Sequence, residues 1–126
     1  MRWLIRITVS LLLLALIGVG YQIVGMMTDQ EQYLPPGELI DVSGYKLHLY
    51  CTGEGSPTVV LEAMGAGWSA YWAKVQPELS KTTRVCSYDR AGFGWSESGP
   101  LPRTGTQIAE ELHQLLTGGG ISGPYV

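Results

Sequence analysis

Arg84–Pro100 reads RVCSYDRAGFGWSESGP, and the fold turns on how its first six residues pass into the rest. RVCSYD is a short segment with β-branched and aromatic side chains, which reads as a strand; the glycine-punctuated AGFGWSESGP that follows reads as a loop. Gly92 and Gly94 permit backbone angles closed to other residues, so the chain can turn sharply where the strand ends. Asp89 and Arg90 stand at that junction, placed to brace the loop.

Downstream lies a helix with clear boundaries. Thr104 and Gln107 have capping-box spacing, Ile108, Leu112, Leu115 and Leu116 form an apolar stripe, and Gly118-Gly119-Gly120 stops it. Gly123-Pro124-Tyr125-Val126 then reads as a loop entering a further strand. Upstream, Thr58–Leu61 (TVVL) is β-branched and unbroken, as in a central strand buried on both faces. The loop AMGAGWS leads from it to a segment with Trp72, Val75 and Leu79 at helical spacing, Ser69 as N-cap and Pro77 ending or bending the helix. Before that, Glu38–Val42 and Tyr45–Cys51 flank Ser43-Gly44, a two-residue hairpin turn. In the second strand Tyr45, Leu47, Leu49 and Cys51 alternate with Lys46, His48 and Tyr50, giving an apolar and a largely polar face. Hairpin, strand, helix, strand, helix, strand start is an α/β order, with a mainly parallel sheet covered by helices.

The chain has 126 residues, and its beginning differs in kind from the rest. Ile7–Met27 is a run of 21 residues without a charge, and at ~1.5 Å rise per residue a helix of this length spans about 30 Å, the hydrocarbon thickness of a bilayer. It is apolar on all faces, unlike a helix packed on a soluble core. The expected organisation is a membrane anchor over residues 1–28, a polar linker with two prolines over 29–36, and a single domain over 37–126. A secretory signal is the alternative, with Gly18-Val19-Gly20 as a weak cleavage site. Arg2 and Arg6 precede the run and no Lys or Arg follows until Lys46, so the N-terminus is expected in the cytoplasm and the domain outside. The lipid bilayer is thus an expected partner. Residues 29–126 hold 6 Lys+Arg against 11 Asp+Glu, an acidic domain without a surface for nucleic acid.

No metal or cofactor is expected. Cys51, Cys86, His48 and His113 lack metal-ligand spacing. Gly92-Phe93-Gly94 lacks the third glycine of a dinucleotide fingerprint, and the triple glycine lacks the Gly-Lys-Ser/Thr of a phosphate loop. His48 on the polar strand face and His113 beside the helical stripe read as surface or packing residues.

TVVLEAMGAGWSAYW, VCSYDRAGFGWSESG, TQIAEELHQLL and GPYV together resemble successive landmarks of the α/β-hydrolases, over residues 36–126. Asp89-Arg90-Ala91-Gly92-Phe93-Gly94-Trp95-Ser96 is similar to the D-R-x-G-x-G-x-S stretch after the fourth strand of epoxide hydrolases, haloalkane dehalogenases and many esterases. The resemblance implies a structural role for Asp89, Arg90, Gly92, Gly94 and Ser96. It implies an oxyanion-hole N–H from the loop after TVVL, at Gly65, or at Met64 if the alignment slips by one, since Ala63-Met64-Gly65-Ala66 stands where His-Gly-x-Pro is common. It also places the second strand beside the fourth, which makes a Cys51–Cys86 disulfide conceivable. The family's nucleophile lies in G-x-S-x-G after the fifth strand, and its acid and histidine follow. None of these is present by Val126. The expectation is therefore the N-terminal piece of a membrane-anchored hydrolase, inactive alone, whose parent uses a serine nucleophile on a small ester. The alternatives are an Asp nucleophile, as in epoxide or haloalkane chemistry, and a non-catalytic binding module on a truncated scaffold.

Overall fold

The computed structural model describes residues 2–126, in two compact units divided between Leu34 and Pro35. The first is one helix, α1 (Arg2–Gln32). Its apolar residues face outward on every side, with a mean hydropathy of 2.2 over an 18-residue window within Arg2–Asp29, long and apolar enough to cross a membrane. The helix runs past Met27 into the segment read as linker. Gln and Glu are good helix formers and the prolines come only at 35 and 36, so the Tyr33 N–H closes a last turn on the Asp29 carbonyl before the chain extends.

The second unit is built on a four-stranded sheet. Strands β1 (Glu38–Asp41), β2 (Lys46–Thr52), β3 (Val59–Glu62) and β4 (Val85–Tyr88) lie in the order β1-β2-β4-β3. β1 and β2 form the hairpin, with Ser43 (φ 63°) and Gly44 (φ 98°) both in the left-handed region that a two-residue turn between twisted strands requires. β2 is antiparallel to β4, with Cys51 opposite Cys86, and β3 is parallel to β4. The bilaterally buried strand is β4, all four residues of which are buried. β3 instead lies at the edge of the four. The last residues line its outer side: Thr58 pairs in parallel with Tyr125, and the Val60 N–H donates to the Val126 carbonyl at 2.8 Å.

On one face of this sheet lies α3 (Gly105–Gly118), whose first turn is capped by the Thr104 hydroxyl accepting from the Gln107 N–H at 3.2 Å. Its Leu115 and Leu116 pack with Val42, Leu47, Leu49, Cys86 and Tyr88 into the core. The helix end approaches so closely that a Cβ at Gly119 would sit 2.7 Å from Leu49. The opposite face carries Tyr50 and Ser87 and is covered by residues 69–79, folded differently from the expected helix. A 3-10 turn (Ser69–Trp72) is followed by a single α-turn, α2 (Gln76–Leu79). Pro77 falls in the first turn of α2, where its missing N–H costs nothing, so it begins this helix rather than ending one. Ser69 is not the cap: Trp68 holds that position without a side-chain hydrogen bond, and the Ser69 N–H donates to Asp89.

Cys51 and Cys86 are joined by a disulfide that closes a separation of 35 residues between β2 and β4. Denatured, unreduced protein is expected to show no reactive thiol. The Cys51→Ala/Cys86→Ala double variant should lose roughly 4 kcal/mol in urea unfolding, the loop-closure value for a loop of this length.

Candidate active site

The loops that follow the parallel strands β3 and β4 leave the sheet at the same end. The β4 loop is organised by Asp89, which has no exposed surface. Its Oδ1 accepts from the Ser69 N–H at 2.6 Å, and its Oδ2 from the Trp95 N–H at 3.0 Å. His48 Nδ1 lies 3.0 Å from Oδ2. Burial opposes ionisation of this carboxyl, but the hydrogen bonds from His48, Trp95 and Ser69 outweigh it and hold Asp89 below the usual carboxylate range. Gly94 is required twice over: its φ is +54°, and a Cβ there would stand 2.3 Å from Asp89 Oδ2. Gly92, at φ +86°, donates its N–H to the Glu97 carbonyl.

Ser96 is only partly exposed. Its hydroxyl donates to the Asp89 carbonyl at 2.6 Å and accepts from the His48 N–H at 2.9 Å, which ties the loop's return to β2. The Trp95 ring lies 4.9 Å from the ring of His48 and 4.9 Å from that of Trp68. Of the surface and packing roles expected for His48, these contacts select packing. The alternation along β2 is real, but the 69–79 segment and the Trp95 loop cover the second face as well, so His48 is fully buried. Its Nε2 is 2.5 Å from the Pro36 carbonyl. A histidine with both ring nitrogens engaged and no exposed surface cannot pass protons to a substrate, so the pair with Asp89 is structural. The missed signal was physical: a buried carboxylate needs donors, and β2, beside β4, carries a single histidine. His113 is exposed.

Arg90 turns away from Asp89 to the loop after β3. Its guanidinium donates to the Gly65 carbonyl, lies 3.7 Å from Glu62, and stands over the Phe93 ring at 5.8 Å. That loop doubles back through a bond from the Gly67 N–H to the Met64 carbonyl at 2.6 Å, with Gly65 at φ +42°. The Met64 and Gly65 N–H groups have no acceptor among the described residues, and both residues are exposed. The structure thus brings Met64 and Gly65 beside the Asp89–Ser96 loop through Arg90 and the Asp89–Ser69 bond.

A second buried carboxylate lies away from this end. Glu111 on α3 receives Arg103 in a two-pronged ion pair, at 2.6 and 2.5 Å, together with the Tyr45 hydroxyl, and so pins the segment after the Asp89 loop to the helix. Burial opposes the charge of Glu111, and Arg103 and Tyr45 override it, lowering its pKa. Among the described residues no group of three His, Cys, Asp or Glu side chains is placed to hold a metal ion.

Because the pKa of Asp89 is lowered on folding, its contribution to stability is full above the unfolded carboxylate value of about 4 and is lost as pH falls below it. Urea titrations should show wild type losing more stability than Asp89→Asn between about pH 5 and pH 2, and the variant less stable by about 3–5 kcal/mol at pH 7. Parallel pH profiles would contradict this assignment.

No family model matches the chain. A probable transporter of Hormonema carpetanum is 34% identical over 94 residues, which cover 70% of this chain and 14% of that protein. The 2-hydroxymuconate semialdehyde hydrolase of Pseudomonas sp. (strain CF600) is 38% identical over 63 residues, covering 48% of this chain and 22% of that protein. Among solved structures, the enol-lactonase from Burkholderia xenovorans LB400 superposes with a TM-score of 0.61 at 30% identity, over 70% of this chain and 35% of that one. The chain therefore spans only about a seventh to a fifth of the length of these curated relatives.

Proposed function

We propose, from the premise that this chain has the fold of the N-terminal part of the α/β-hydrolases and has relatives among them, that it supplies one side of a hydrolytic site in a membrane-anchored enzyme. The observation that carries the reading is the pair of unengaged N–H groups at Met64 and Gly65, exposed at the end of β3 and held in place by Arg90. Donors fixed in this way stabilise the negative charge that develops on a carbonyl oxygen during nucleophilic attack, and each is worth about 3–4 kcal/mol of barrier. Gly65 is the residue assigned that role, with Met64 as the neighbour that would take it.

In this reading the rest of the catalytic set comes from sequence beyond Val126: a nucleophile at the turn after the next strand, then an acid and a histidine. Tyr125 and Val126, already beside β3, mark where that strand would run. His48 and Asp89 take no part, because their hydrogen bonds are spent within the fold. The substrate class is a small ester or a related acyl compound attacked by a serine. α1 carries the chain in a bilayer, with Arg2 and Arg6 on the cytoplasmic side and the domain on the other; the acidic domain has no nucleic-acid partner.

The chain by itself is expected to hydrolyse p-nitrophenyl acetate no faster than buffer and to take up no fluorophosphonate probe. The same chain extended through the coding sequence that follows should be labelled on a serine. Labelling of residues 1–126 alone would sink the reading, and an extended protein that opens epoxides without labelling would transfer it to an Asp nucleophile. Membrane fractions extracted with alkaline carbonate should retain the protein, and release of a shortened chain would show a cleaved signal instead.

A further inference from the structure

The sheet face opposite α3 holds a cavity of about 310 Å³ that the proposed hydrolytic site does not use. Tyr50 and Ser87 form its floor from β2 and β4, residues 69–77 and Pro36 form its sides, and Trp95 closes one end; Met64, Gly65 and Arg90 do not line it. Its surface is mainly apolar, and the polar groups on it are few and distinctive. Ser87 is fully buried, and its hydroxyl has no hydrogen-bond partner among the described residues. Gln76, also buried, turns its amide N–H groups to the Tyr50 carbonyl, the Thr52 hydroxyl and the Val85 carbonyl. That leaves its Oε1 with no protein partner among the described residues. Among the described residues no Lys, Arg, Asp or Glu lines the cavity.

A buried hydroxyl without a partner is costly, and beside a solvent-reachable apolar cavity it marks a place for a ligand group. A carboxylate or ammonium would enter without a counter-ion and is excluded on charge. A hydrocarbon would leave Ser87 unsatisfied. A hydroxyl can both accept from Ser87 and donate to the Gln76 Oε1, and the aromatic and proline walls suit the apolar body that carries it. From this geometry we infer that the cavity is a binding site for a small neutral phenol or alcohol, separate from the hydrolytic site.

The test is equilibrium dialysis of the full chain in lipid nanodiscs with p-cresol, toluene and p-toluate. Ala73→Trp serves as the reference for partition into lipid, because Ala73 is an exposed wall residue whose enlargement fills the cavity without entering the core. p-Cresol should bind saturably and toluene at least fivefold more weakly, while p-toluate should not bind. Ser87→Ala should weaken p-cresol roughly fivefold and leave toluene unchanged, the effect of one lost hydrogen bond. Ala73→Trp should abolish saturable binding of both. The inference is overturned if p-cresol shows no saturable binding, if Ser87→Ala binds it as wild type does, or if Ala73→Trp still binds it.

Discussion

A carboxylate with no exposed surface must find its donors inside the protein, and those of Asp89 come from three separate stretches of chain. His48 arrives from β2, Ser69 from the loop after β3, and Trp95 from the far side of Asp89's own loop. Each donor commits its segment to one position. The Pro36 carbonyl on His48 extends the set to the first residues of the domain. Ionised and surrounded in this way, Asp89 acts less as a reactive group than as the knot in which the ends of two strands and two loops meet, and the exposed turn at Gly65 inherits its rigidity from that knot.

What could be read from the sequence was local. The hairpin was visible because Ser43-Gly44 suits the turn, α3 because Thr104, its leucine stripe and its glycines mark both ends, and the Asp89–Ser96 loop because its glycines permit angles that little else tolerates. The strand start expected at Tyr125 is, among the described residues, an isolated bridge to Thr58 rather than a strand. What escaped depended on distant partners. The burial of His48 requires the 69–79 segment to be laid over β2, and no periodicity within β2 can report that. The helix expected from Ser69 is a 3-10 turn closed by the Tyr71 N–H on the Trp68 carbonyl and the Ala73 N–H on the Ala70 carbonyl, and its first N–H is anchored by Asp89, twenty residues on, a partner that local spacing does not report. The centrality expected of TVVL belonged to β4, since hydrophobic content does not reveal strand order.

Arg90 and Asp89 also show how adjacency in sequence misleads. Neighbouring opposite charges invite the reading of a pair, yet successive residues leaving a strand point to different sides. Each finds its partner elsewhere: Asp89 in the histidine behind it, Arg90 in the carbonyl of Gly65 and the carboxylate of Glu62. The division is useful, because one charge secures the loop from within while the other holds an exposed neighbour from outside.

The strand order β1-β2-β4-β3 has a consequence for synthesis. β1 and β2 can pair as soon as they emerge, being neighbours in sequence and in the sheet. β3 touches neither of them; its two partners are β4, about two dozen residues later, and the segment at Tyr125, later still. A chain leaving the ribosome N-terminus first therefore carries Val59–Glu62 with both edges bare until Val85–Tyr88 appears, and β4 then closes the gap between hairpin and β3 in one step. The most buried strand is also the one on which assembly waits, so any pause in translation between residues 62 and 85 prolongs the interval in which an apolar strand has only solvent, a chaperone or another nascent chain to meet.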